Sequence, residues 1–209
     1  MSRMIIARAP QSFPCRVVML VMLFVIASAA AQAQVSVRVR GTITGLDGDV
    51  LSVRTREGKD LKLRLSEKAT VAAAKALKIE DLKPGEYVGA TTQARADGTL
   101  VAVEVHTLPP TVPQGYLPWD LQPGAMMTNG HVEGVVAASA GGQQLTLKYK
   151  DSSQTILVPP GTPVVTNTPA DRSALQPGEY IFTSAAVGAE GTMTVQRIQV
   201  SRDGVKPPL

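Results

Sequence analysis

The chain has 209 residues, with 21 Lys and Arg against 17 Asp and Glu, 44% apolar residues and only 4% aromatic ones. That length allows one or two domains. The single cysteine excludes an intramolecular disulfide and a four-cysteine zinc site, and the scarcity of rings counts against a base-stacking surface.

Residues 1–33 read as a secretory signal. Arg3, Arg8 and Arg16 form a positive start with no acid, VVMLVMLFVIA (17–27) is an unbroken apolar run, and Ala31-Gln32-Ala33 offers an A-x-A cleavage site. Eleven apolar residues fall short of the ~20 that a membrane-spanning helix needs. Cys15 precedes the run, so it cannot become an acylated first residue, and no arginine pair marks a folded-protein export route. Cleavage after Ala33 or a nearby alanine leaves 176 residues with 18 bases, 17 acids and no cysteine. The formal charge of +4 thus belongs mostly to the signal, and a thiol-free chain suits an oxidising compartment. A periplasmic location is expected.

The first unit is expected over 34–108. VSVRVRGTI (35–43) alternates apolar and polar residues, as do LSVRT (51–55) and LKLRL (61–65), which is the period of strands with one buried face. Asp47-Gly48 and Glu57-Gly58 supply turns. TVAAAKALKIEDL (70–82), with Val71, Ala74, Leu77 and Leu82 at helical spacing, predicts a short helix ended by Pro84-Gly85. EYVGATTQ (86–93) and TLVAVEVHT (99–107) return to strand around Asp97-Gly98.

Residues 109–129 predict a Pro-rich linker. Five prolines keep it extended, while Tyr116, Leu117, Trp119 and Leu121 need cover, so Tyr116 and Trp119 are expected to pack between the units. A second unit follows over 130–209. HVEGVVA (131–137), QLTLKYK (144–150), TILVP (155–159), EYIFTSAA (179–186) and TMTVQRIQV (192–200) read as strands, with one helical turn at PADRSAL (169–175).

The two units look like copies. LKPGEY (82–87) recurs as LQPGEY (175–180), Asp97-Gly98-Thr99 corresponds to Glu190-Gly191-Thr192, and LSVRTREG (51–58) to LTLKYKDS (145–152). The first two matches share an offset of 93, as does Gly41 with Gly134, while LSVRTREG and LTLKYKDS stand 94 apart. Three strands, a helix and two strands is the order of an OB-fold. The expected fold is therefore all-β with one short helix per repeat, in two tandem five-stranded OB-like barrels. A single two-sheet sandwich built from both copies is the alternative.

GTITGLDGDVLSVRTREGKDLKL (41–63), LKPGEYVG (82–89), DGTLVAVEVH (97–106) and PWDLQPGAMMTN (118–129) resemble an exported proteobacterial family of tandem OB-like domains of unknown function. The resemblance covers essentially the whole chain after the signal. It implies a periplasmic small-barrel protein and carries over no catalytic residue. Two features depart from the family pattern: the second copy's helix is shorter, and Gln196 stands where an apolar residue is expected.

Two sets of residues are candidate sites. His106 and His131 flank the linker beside Met126 and Met127, and imidazole with thioether suits copper. Surface histidines and core-filling methionines are the plainer reading. Strand parity places His106 with Glu104 and His131 with Glu133 on polar faces. Arg38, Arg40, Arg54, Arg56, Lys62 and Arg64 share the polar parity of three adjacent strands, forming a basic face for an anionic envelope component or a protein partner. A solvated exterior explains them equally, and the second copy is expected to carry His131 and Glu133 in place of Arg38 and Arg40.

No G-x-S-x-G, H-E-x-x-H or phosphate-loop pattern occurs. Asp47 and Asp49 fit turn chemistry better than a calcium loop. The sequence thus points to a non-enzymatic exported binding or scaffolding module without cofactor and without nucleic acid. The alternative is a small-ligand or copper-type metal-binding protein.

Overall fold

The computed structural model describes residues 35–137 and 142–208; the expected signal at 1–33 lies outside the described residues. The described chain forms β1 (Ser36–Asp47), β2 (Val50–Thr55), β3 (Asp60–Ala76), β4 (Tyr87–Ala94), β5 (Leu100–Thr107), β6 (Gly115–Pro118), β7 (Met126–Ala137), β8 (Gln143–Tyr149), β9 (Ser152–Val158), β10 (Val164–Ala170), β11 (Tyr180–Val187) and β12 (Met193–Val200). The fold is all-β. Among the described residues, helical structure is limited to three-residue 3-10 turns, including Ile79–Asp81 and Arg172–Ala174.

The strands form two rings. In the first, β11 pairs with β1, β1 with β2 and β2 with β3, all antiparallel. A parallel β3–β12 ladder and an antiparallel β11–β12 ladder close it as a five-stranded barrel. In the second, β5 pairs with β4, β4 with β7, β7 with β8 and β8 with β9. One parallel pair, Val101 with Leu157, returns from β9 to β5. Strand β10 joins the rings, antiparallel to the end of β3 and parallel to β5.

Each ring takes strands from both sides of the linker. The strand pairing does not follow the expected division at 34–108 and 130–209. The cause is visible in β3, which after an irregularity between Leu65 and Thr70 continues to Ala76, pairs there with β10, and carries the chain away from β2 before β4 begins.

The expected helix at 70–82 is therefore corrected. Residues 70–76 belong to β3, and only Ile79–Asp81 turns. Alanine favours helix by less than about 1 kcal/mol per residue over most others. Here Ala72 and Ala73 pair with β12 on one side and β10 on the other. Two ladders outweigh that preference, and small side chains let three strands lie close at a buried crossing. The helical turn expected at 169–175 shrinks likewise to Arg172–Ala174, with Pro169 and Ala170 in β10.

From Val39 to Leu65 the apolar inward positions are those the alternation predicts, but Val35 and Val37 are 65% and 40% exposed and Arg40 is buried, which the alternation does not predict. Val39, Ile43, Leu51, Val53, Leu63 and Leu65 meet Ile181, Val195, Ile198 and Val200 in one core. Val88, Ala90 and Val105 meet Val132, Leu145, Leu147, Ile156 and Val158 in the other. Each large side chain buried this way stabilises the fold by about 1.5–3 kcal/mol.

Register and bulges match between the rings. Thr42 pairs with Arg54 and with Tyr180, as His131 pairs with Lys148 and with Tyr87. Gly41 thereby corresponds to Gly130, not to Gly134 as expected from the sequence. A Cβ at Gly41 would sit 2.3 Å from the Arg54 carbonyl oxygen, and one at Gly130 2.7 Å from that of Lys148, whereas Gly134 has open space. By the same register, Arg38 and Arg40 correspond to Met127 and Asn129 instead of His131 and Glu133. Gln196 lies in the β12 bulge between Val195 and Arg197. Val195 and Ile198 on either side remain fully buried, so Gln196 displaces no core residue.

The linker is more ordered than a spacer. β6 pairs with Met126–Asn129 of β7, and the Trp119 amide donates to the Ala125 carbonyl at 2.9 Å. β7 thus begins at Met126, four residues before the second unit was expected to start.

Candidate functional site: a polar groove between the rings

Strands β12, β3, β10 and β5 lie side by side where the rings meet. Over this junction lies a groove of about 1100 Å3, lined by residues of both rings and of the segment Leu108–Trp119. Its polar lining includes His106 from β5, Asn129 from β7, Asn167 from β10 and Arg197 and Gln199 from β12. Asn167 pairs with Ala74 at the middle of the β3–β10 crossing.

Several buried polar atoms here lack a protein partner. His106 Nδ1, Asn167 Oδ1 and Gln199 Oε1 are each buried without a hydrogen bond. An orphaned buried polar atom costs about 1–3 kcal/mol, and these three lie beneath the groove's surface, closed off from its opening. His106 is 7% exposed. Burial pushes its imidazole down to about 4, so it is neutral at pH 7 even with a Glu104 oxygen 3.9 Å from Nδ1. Glu104 is itself buried and accepts a 3.0 Å hydrogen bond from the Thr91 hydroxyl. Gly89 makes room for the imidazole, since a Cβ there would lie 2.7 Å from Nε2.

The opposite wall is basic. Arg38 sits with its guanidinium 4.1 Å from the Trp119 ring centroid and 3.4 Å from the Asp120 carboxylate. Arg40, with a side chain only 4% exposed, hydrogen-bonds the same carboxylate at 2.9 Å and lies 5.0 Å from the Phe182 ring. Partial burial alone would raise the Asp120 carboxyl, but the two guanidinium groups hold it below the usual range. Arg56 donates to the Asp120 and Leu121 carbonyls. The linker is thus fastened to β1 and the strand-end residues beside it.

The six bases expected to form one face are divided. Arg38, Arg40 and Arg56 hold the linker, Arg54 pairs with Asp60 and Arg64 with Asp49. Only Lys62 is exposed without an ion-pair partner among the described residues. Of the histidine–methionine set, His106 and Met127 line the groove. His131 is exposed, packs its ring 4.9 Å from that of Tyr87 and bonds the Gly85 carbonyl through Nδ1. Met126 is half-buried beside Thr92. The structure therefore does not bring the four together. The expectation that His106 and Glu104 lie on an outer polar face is corrected: they share a face, but both are buried, Glu104 against Thr91 and His106 against Gly89 of β4. Trp119 lies in the groove as expected, while Tyr116 is 39% exposed.

Asn167, Gln199 and Arg197 carry no motif, and the sequence reading passed over them. Only the crossing of β3 and β10 brings them to one place. The chain matches no family model, no curated protein and no solved structure among those compared.

Proposed function

We propose that this is an exported, non-enzymatic binding protein of the bacterial cell envelope, holding a small ligand in the groove between its rings. The observation that carries the reading is a groove of about 1100 Å3 whose lining gathers His106, Asn129, Asn167, Arg197 and Gln199 from four strands of both rings and the junction between them. Ligand sites combine concave shape with a few well-placed polar groups. Amides, hydroxyls and guanidinium groups dominate the polar lining, and these bind readily without transferring bonds. Export rests on the composition of residues 1–33.

The scaffold is read as two copies of an OB-like unit that have exchanged their last two strands. In its favour, each ring runs in the order of first, second, third, fifth and fourth strands of such a unit. The membership in the family resembled by residues 41–63 and 118–129 is part of the same proposal.

Native mass spectrometry of the protein purified from the cell envelope tests the binding reading. A mass surplus that disappears on denaturation is expected, and it should be lost in the double variant Asn167→Leu, Gln199→Leu. A bare chain mass, together with no thermal shift in a small-molecule screen, would sink it.

A further inference from the structure

We infer that the groove takes an extended, proline-containing peptide segment, and that the chain's own Lys206–Pro208 occupies one end of it as an internal ligand. This rests on the groove being the ligand site and names its ligand class.

The course of the chain after β12 gives the first argument. The Ser201 amide donates to the Tyr180 carbonyl at 2.8 Å, and the Tyr180 amide donates to the Ser201 hydroxyl at 2.7 Å. Arg202 and Val205 then exchange backbone hydrogen bonds of 3.0 and 2.9 Å around Asp203 and Gly204, whose φ values are 52° and 78°. Two successive left-handed residues make the tight reversal of a hairpin turn, so the chain returns towards β11. There the Lys206 ammonium lies 5.1 Å from the Tyr180 ring centroid. Pro207 and Pro208 are buried, and Pro208 lines the groove. Tyr180, Phe182 and Ser184 alternate along β11 and so share a face, and the last two also line the groove. The segment thus follows that face into the groove.

The chemistry of the segment gives the second. Lys206 and Pro207 each precede a proline, which holds both in the extended region. Neither proline carries an N–H, so burying the pair strands no donor. The groove offers such a segment packing surface from Leu108, Val112, Pro113, Leu117, Trp119 and Phe182. Extended proline segments dock in aromatic-lined grooves in this way, and their stiffness keeps the ordering cost low.

The third is how loosely the segment is held. Lys206–Pro208 make no hydrogen bond among the described residues, and a stretch held by packing alone opens locally at low cost. With Pro208 in place the groove still measures about 1100 Å3, above the ~300–1,000 Å3 of most small-molecule pockets. A longer segment of the same kind therefore has room to enter and to displace the chain's own prolines.

The probe is the acetylated hexapeptide GVKPPL, the sequence of residues 204–209, with GVKAAL as its proline-free counterpart. Calorimetry follows binding, and emission from Trp119, the only tryptophan in the chain, places it in the groove. Two proteins have the groove end vacated: a chain ending at Val205, and the full chain with Pro207→Ser and Pro208→Ser. Both should bind GVKPPL with 1:1 stoichiometry and a change in Trp119 emission. The native chain should bind it at least about tenfold more weakly, because its own segment competes at high effective concentration. GVKAAL should bind the vacated proteins at least about tenfold more weakly. Adding Ser184→Tyr, an exposed change that narrows the groove, to the double variant should cost about tenfold or more. Ser152→Tyr, exposed and outside the groove, should cost nothing. Absence of saturable heat with GVKPPL at millimolar concentration in both vacated proteins overturns the inference. So does equal binding of GVKAAL, equal binding by the native chain, or equal loss in the two tyrosine variants. A mass surplus retained in native spectra with no peptide binding removes the peptide class alone. Failure of both measurements removes the ligand groove as well.

Discussion

His106 shows how far one side chain's behaviour depends on what covers it. Along β5 it is a polar residue at alternate spacing from Glu104, a pattern that fits a wet face and a covered face equally well. In the fold both are buried, and desolvation lowers the imidazole to about 4. Glu104 at 3.9 Å favours the charged form, but burial dominates; among the described neighbours, Thr91 and Asn129 bring no charge to this face. The sign of the pH effect follows. A base whose pKa falls on folding adds stability above its unfolded value near 6.5. That stability is lost as pH drops from about 6.5 towards 4. The full difference amounts to about 3 kcal/mol. Urea unfolding at pH 7 and pH 4.5 should show this acid loss in the native protein and a markedly smaller one in His106→Gln. An unchanged loss in the variant would assign it to other groups.

At the level of strands, the alternation marks the apolar buried positions from Val39 to Leu65 but misplaces Val35 and Val37, which are exposed, and Arg40, which is buried under the linker; Gly48 and Gly58 take the positive φ that the predicted turns need. The same alternation does not reveal register. Gly41 and Gly134 align at nearly the same offset as the other matching segments, yet the ladders equate Gly41 with Gly130 and Gly45 with Gly134, because the β7–β8 connection is longer than the β1–β2 turn. Sterics make this testable. Gly41→Ala and Gly130→Ala place a methyl against a neighbouring carbonyl, and each should destabilise by about 1–3 kcal/mol. Gly45→Ala and Gly134→Ala meet open space and should change stability by less than about 1 kcal/mol. Denaturation midpoints of the four variants decide the register. The misread helix at 70–82 has a related cause. Val71, Ala74 and Leu77 suit a helix face, and only long-range pairing with β10 and β12 makes the strand the better use of the segment.

Across the molecule, the first ring needs β1–β3 together with β11 and β12, while the second closes within Leu82–Val164; β10, laddered to both β3 and β5, couples the two. Leu63 in one core and Leu147 in the other should therefore report on one cooperative unit. Calorimetry should give a single unfolding transition. Leu63→Ala and Leu147→Ala should each lower that same midpoint, with losses of about 2–5 kcal/mol. Two transitions, each moved by only one variant, would mean that the rings unfold separately.

Local pattern was enough for the all-β class, most of the inward-facing apolar residues, the turn positions and the need to cover Trp119. These depend on neighbours within a few residues, or on a ring too large and apolar to leave in water. Strand membership, the register of β7 and the groove were decided in three dimensions. Each depends on pairings between distant strands, such as Tyr87 with His131 and Ala74 with Asn167, and amino-acid spacing carries no record of which distant strand supplies the hydrogen bonds.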